Sequence, residues 1–270
     1  MLNEIEIKEI IEQYGNGKTQ SEIAKKFNCS QTGISAILNR SGIKTRVGKN
    51  IKYTDINNQF FKEINSQECA YFLGLLYADG CVQQNTITLK LKSNDQMIIE
   101  KFRDIMSPSS PIKISYGKYS YFRINQKEIC NQLITLGCIP NKSLILQFPK
   151  CVPNNLIHHF VRGYSDGDGT IYKNFIKDKK YCNFIWKITS TKTFCDSLSE
   201  ILIKELNINC SKSISTPKTN QITTTLSVGG NNQVMKILDW MYNDATVYLP
   251  RKYDKYIEFR NYKAVNSIKN

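Results

Sequence analysis

The sequence holds 270 residues, 41% hydrophobic and 22% charged, values of a globular chain that exclude wholesale disorder and allow one large domain or two ordinary ones. A net charge of +14 with a pI near 9.3 selects polyanionic partners, nucleic acid first and an anionic membrane surface second. No apolar run approaches the roughly 20 residues a spanning helix needs, so no membrane partner is expected.

The amino terminus, MLNEIEIKEI, is acidic and amphipathic and resembles neither a secretory signal nor a transit peptide. The cytoplasm of a bacterial or phage-infected cell is the expected location. Nine scattered cysteines without a CxxC pair read as reduced, mostly buried thiols rather than a disulfide or zinc framework. His158 and His159 are adjacent, about 100° apart around a helix. They read as ordinary helix residues rather than ligands of one metal.

In chain order, Ile5, Ile7, Ile10, Ile11 and Tyr14 recur at helical spacing until Gly15 and Gly17 stop the helix. Thr19, with Glu22 three residues on, predicts a capping box for a second helix whose inward side is Ile23, Ala24 and Phe27. A turn at Asn28-Cys29-Ser30 leads to a third helix from Gln31 to Asn39, with Ile34, Ile37 and Leu38 inward. TQSEIAKKFNCSQTGISAIL thereby resembles a resolvase-like helix-turn-helix, which would present Gln31, Thr32 and Ser35 to base edges. Lys25, Lys26, Arg40, Lys44 and Arg46 could hold flanking phosphates. Residues 1–46 are expected to form this domain, and 47–65 a basic linker containing Gly48, Lys49 and Lys52.

Beyond residue 66 the pattern is helix, two strands, helix, two strands, helix, and then the same again. FLGLLYADG, Phe72 to Gly80, has a second copy in VRGYSDGDG, Val161 to Gly169, so two similar halves are expected at 66–150 and 151–262, with a tail at 263–270. Thr86 to Lys92 alternates strictly, as does Thr223 to Val228, and Gly117-Lys118 centres a hairpin of Pro111–Tyr116 and Tyr119–Asn125. Asn94 or Asp95 is expected to cap the helix that follows the first alternating strand. The fold class is therefore α+β: two pseudo-symmetric αββαββα halves preceded by a small all-α domain. One face of each sheet is apolar. The other, with Lys90, Lys92, Tyr121, Arg123, Lys187, Thr223 and Thr225, has the composition of a sheet laid along DNA.

In the repeated motif Gly74 and Gly163 would let two helices approach at backbone distance, each ending in an acid, Asp79 or Asp168. A carboxylate at a helix carboxyl end opposes the helix dipole, and two such ends side by side repel. A hard divalent cation such as Mg²⁺, bound also by phosphate oxygens, relieves both penalties. The motif pair resembles that of a single-chain, two-motif LAGLIDADG homing endonuclease, over residues from about 66 to 260.

That resemblance implies a β-saddle on a long asymmetric DNA duplex, Mg²⁺-dependent hydrolysis of both strands, and a monomer supplying both motifs. It carries the metal-binding acids onto Asp79 and Asp168, and two catalytic cations onto Lys142 of PNKS and Lys252 of LPRKYDK, each placed after its half's last helix. The motif's earlier acid falls on Asp166 but on Tyr77 in the first copy, leaving Asp166 without a clear role. Phe72 and Val161 stand in for Leu, and Arg162 for a small residue. Ser93 and Ser190, at matching strand ends, are candidates for ordering water. The alternatives are an RNA maturase with intron RNA as partner, or a non-cleaving transcription regulator of the same fold. An intein is disfavoured by the opening Met and by an end without a His-Asn junction.

Overall fold

The computed structural model describes residues 3–45, 53, 55–175, 182–215 and 222–267, with side chains to residue 262. The chain divides into two units, Met1–Lys52 and Tyr53–Asn270. Arg46 of the expected first domain and Gly48, Lys49 and Lys52 of the expected linker lie outside the described residues.

The first unit is three helices, α1 (Glu4–Gly15), α2 (Gln20–Lys26) and α3 (Gln31–Arg40), around Ile10, Tyr14, Ile23, Ala24, Ile34 and Leu38. Two capping boxes start it: Thr19 with Glu22, as expected, and Asn3 with Glu6. Asn28, at φ +48°, takes the left-handed conformation that turns the chain between α2 and α3.

In the second unit, the first half runs α4 (Gln67–Asp79), β1 (Gly80–Val82), β2 (Thr86–Lys92), α5 (Gln96–Met106), β3 (Lys113–Ser115), β4 (Tyr119–Asn125) and α6 (Lys127–Thr135). The second repeats it as α7 (Ile157–Asp168), β5 (Gly169–Phe175), β6 (Cys182–Ser190), α8 (Lys192–Leu206), β7 (Ser211–Ser215), β8 (Thr223–Gly229) and α9 (Asn231–Tyr242). Each half forms an antiparallel four-stranded sheet of the same order, β1-β2-β4-β3 and β5-β6-β8-β7. Ile87, Leu89, Leu91, Phe122 and Ile124 face the helices in one sheet; Phe184, Trp186, Ile188, Leu226 and Val228 do so in the other. Burying one side of each sheet leaves the alternate side chains on a single exposed face.

Three expectations change. The stretch read as linker to residue 65 packs into this unit from Asp55 onward: Phe61 and Ile64 are core residues, and the Asp55 carboxylate accepts from Ser107 Oγ at 2.8 Å and Ser109 N at 2.7 Å. Asp95 makes no capping hydrogen bond; its carboxylate is taken by Arg251 instead. An unexpected helix, α10 (Pro250–Ser267), follows α9 and carries the backbone of 263–267 on from the half read as ending at 262.

Candidate active site

Helices α4 and α7 cross where each has its glycine. A Cβ on Gly74 would run into Phe160 O and come within 2.9 Å of Tyr164 N; one on Gly163 would run into Tyr71 O and come within 2.9 Å of Leu75 N. The contacts are reciprocal, as a pseudo-twofold axis between the helices requires. Further along, a Cβ on Gly167 would sit 2.9 Å from Asp79 Oδ2, so the Asp79 carboxylate lies against the end of α7 beside Asp168. The small residues of the motif thus bring two acids together at the helix carboxyl ends.

Both carboxylates reach the surface but are crowded by protein elsewhere. Burial and the neighbouring Asp168 push Asp79 up to about 6. Burial also raises Asp168, opposed by Lys142 and the Tyr164 hydroxyl. Each acid is followed by a glycine whose carbonyl holds a lysine: Lys142 Nζ donates to Gly80 O, and Lys252 Nζ to Gly169 O and, at 3.1 Å, to Ser165 O. Lys142 begins a 3₁₀ turn after α6, as expected. Lys252 lies within the first turn of α10 rather than after its half's last helix, and burial pushes it down to about 8.

Asp166 acquires a definite role. Fully buried, its carboxylate accepts from Tyr71 Oη at 2.9 Å, Tyr242 Oη at 2.7 Å and Leu249 N at 2.7 Å, tying α4, α7 and α9 to the segment before Lys252. Arg162, also fully buried, donates to Val247 O, Met241 O, His159 Nδ1 and Gln67 Oε1 at 2.6–3.0 Å. In the first half Tyr77 inverts the polarity: its hydroxyl donates to Leu136 O at 2.6 Å, above Gly137, whose φ is +93° and whose missing Cβ leaves that hydroxyl room. Sequence reading missed Arg162, Tyr71, Tyr242 and Gln67, because their partners are remote in the chain.

The two acids suit a divalent cation. They are paired oxygen donors, crowded against each other and partly desolvated, which is the electrostatic deficit that a cation fills. His158, His159 and Asp244 also come together, within 4.8 Å, correcting the view that adjacent histidines point apart. That cluster does not suit a metal. Arg162 donates to His159 Nδ1 at 2.7 Å, so the proton of the neutral ring sits on Nε2, the atom facing Asp244. Burial and Arg162 hold His159 down at about 4, hence neutral.

The expected DNA-facing residues share the exposed sheet faces. Lys90 stands opposite Tyr121, and Thr88 opposite Arg123, whose Nε donates to Thr88 Oγ1 at 3.1 Å. Lys92 is exposed at the end of β2. In the other sheet Lys187 pairs with Ser227, Thr189 with Thr225, and Ser215 with Thr223. Lys90 lies over Tyr119 and Lys187 over Tyr172, 4.7 and 5.3 Å from the ring centres. In the first unit Gln31 and Thr32 are exposed and Ser35 half-exposed at the front of α3, with Ser21 Oγ donating to Gln31 Oε1 at 3.3 Å.

Two four-stranded sheets carrying a glycine-packed helix pair that ends in two acids define the LAGLIDADG homing endonuclease fold. The solved structures agree. I-SmaMI, a LAGLIDADG homing endonuclease bound to cleaved DNA, is similar with a TM-score of 0.55 and 12% identity over 77% of this chain and 92% of that one. I-AabMI, a LAGLIDADG meganuclease bound to uncleaved DNA, gives 0.52 and 14% over 74% and 91%. I-SmaMI bound to uncleaved DNA with calcium ions gives 0.51 and 15% over 74% and 92%. No protein-family profile matches the sequence. Two curated proteins of Methanocaldococcus jannaschii match: a probable translation initiation factor IF-2, 27% identical over 142 residues, and the RNA polymerase subunit Rpo1C, 26% identical over 186 residues. These matches take in 50% and 62% of this chain but only 11% and 20% of those proteins.

Proposed function

We propose that this chain is a sequence-specific double-strand DNA endonuclease that hydrolyses phosphodiester bonds at Asp79 and Asp168 with a divalent cation, Mg²⁺ being the expected ion. The observation that carries the reading is the pair of carboxylates at two helix ends, each with a lysine clamped to the next glycine. Asp79 and Asp168 would hold the cation, which when bound supplies Lewis-acid stabilisation of phosphoryl oxygens and a more acidic water. Lys142 and Lys252 place positive charge where negative charge grows on the phosphate. Sheet residues such as Lys90, Lys92, Arg123 and Lys187 hold the duplex by its phosphates, while Tyr121, Thr223 and Thr225 lie where base edges would pass. Gln31, Thr32 and Ser35 would add a second contact through the helix-turn-helix. Since one chain supplies both motifs, a monomer suffices for both strands.

The test is cleavage selection from a randomised duplex library in Mg²⁺, followed by assay of recovered duplexes. Double-strand cutting that is lost in Asp79→Asn and in Asp168→Asn is expected; undiminished cutting by either variant would falsify the assignment. Tight, specific binding without cutting under any divalent ion would mark a regulator instead. Splicing rescue by a cleavage-dead variant would mark a maturase.

A further inference from the structure

On a chain of net charge +14, α3 carries no charge between Gln31 and Asn39. Ile34 and Leu38 are buried and Ile37 packs against the same core, so Gln31, Thr32, Ser35, Ala36 and Asn39 are left on the outward side. All five are exposed except Ser35, which is half-exposed. The cations stand at the ends instead: Lys25 and Lys26 close α2, Arg40 ends α3, and Lys44 follows. Phosphates on either side of a groove suit that division, and the groove floor is left to the uncharged face.

The groups on this face match A·T pairs. A carboxamide donates to adenine N7 and accepts from its N6 amino group, and a small methyl packs on the C5-methyl of thymine. Guanine is read by a cation and cytosine by a carboxylate, and the face has neither. Two local contacts prepare the groups for this use. Ser21 Oγ, on α2, donates to Gln31 Oε1 at 3.3 Å, which leaves Nε2 unengaged among the described residues and a second lone pair on Oε1. Thr32 Oγ1 lies 2.9 Å from the Oγ of Ser30, the cap of α3, so the methyl is the group that Thr32 has left to offer. From Gln31 to Asn39 the helix rises about 12 Å, roughly three to four base-pair steps.

We propose that α3 reads a block of roughly three to four consecutive A·T pairs through the major groove, with Gln31 and Asn39 on adenines and Thr32 and Ala36 on thymine methyls. This rests on the reading of the first unit as a DNA contact, and it holds whether or not the second unit cuts. Ser21 is a positioning residue, since it acts through the Gln31 amide.

The experiment is a binding selection with the full chain on a randomised duplex library, without divalent cations so that recovery does not depend on cleavage. The recovered duplexes should share the A·T block. Gln31→Arg should turn one of its positions to G·C and Asn39→Ala should relax another, with the remaining selected positions as internal reference. In a recovered duplex, one G·C pair placed in the block should weaken binding about tenfold. Uracil for thymine removes the C5-methyl and 7-deazaadenine for adenine removes N7, and each keeps the pairing; both should weaken binding. These two substitutions leave the protein untouched, so the proposal stays open to refutation even if a variant fails to fold. A block insensitive to both base analogues is recognised by duplex shape, which overturns the proposal. Selection of no A·T block, or of a G·C pair that depends on Gln31 or Asn39, overturns it as well. The nuclease reading is decided separately, by the cleavage selection in Mg²⁺: cutting without an A·T block leaves that reading standing, and the block without cutting leaves this one.

Discussion

Lys252 owes its environment to Pro250, which opens α10 so that the lysine falls in the first turn and is drawn under Gly169 and Ser165. Burial there leaves it near 8, while Asp79 sits near 6, so the two charges that the proposed reaction would use coexist in a narrow window. Below about 6 Asp79 gains a proton and would lose the proposed hold on a cation; above about 8 Lys252 loses its charge. Cleavage is therefore expected to rise through pH 6 and fall beyond pH 8, and raising Mg²⁺ should move the acidic limb lower, since a bound cation favours the carboxylate. An acidic limb that ignores the Mg²⁺ concentration would count against Asp79 as a ligand. The same shift bears on stability. Asp79 is more basic folded than unfolded, so folding is favoured through this group at low pH and loses that support as pH rises towards 6. Asp79→Asn should consequently raise the melting temperature at about pH 7.5 without metal while abolishing cleavage, which calorimetry and the cleavage assay can check together.

The crossing of α4 and α7 turns two glycines into a requirement of backbone geometry. Gly74→Ala adds a methyl where the carbonyl of Phe160 already is, and neither backbone can yield without parting the helices. A loss of about 3 kcal/mol in urea unfolding is expected, the upper part of the usual overpacking range. Gly229→Ala, with nothing within 4 Å of its added methyl, should change little. Equal effects of the two would mean that the helix crossing tolerates separation. This element was legible because its chemistry is local: glycine spacing and a terminal acid recur in both copies, and the alternation of Thr86 to Lys92 predicts β2 to the residue. The clamp around it was not. Arg162 reads only as a stand-in for a small residue until α9 and the 244–249 segment fold over it, and Asp95 reads as a cap until α10 delivers Arg251. The helix α10 itself is charged and aromatic with weak apolar periodicity, so only its packing of Tyr256 and Phe259 into the core defines it. Phe60 and Phe61 lie in a stretch rich in Asn and Gln, and the polar composition masks two anchoring rings.

At the level of the whole molecule, charge and division into units make a separable prediction. The three helices of Met1–Lys52 close over their own core, distinct from the core shared by the two halves. The acids, lysines and sheet faces all belong to Tyr53–Asn270. A protein of residues 53–270 should therefore fold and cut the same phosphates, but bind its duplex more weakly. The residues removed include Lys25, Lys26, Arg40 and Lys44, so fewer counterions would be released on binding, and the logarithm of affinity should fall less steeply with the logarithm of salt concentration. Each phosphate that the shortened protein no longer neutralises would lower that slope by about 0.9. Filter binding across a salt series, run with and without the first unit, measures the difference. If the slopes coincide while affinity drops, the first unit reads bases or shape without neutralising phosphates. If both affinity and slope are unchanged, the helix-turn-helix does not touch the duplex, and recognition rests on the two sheets.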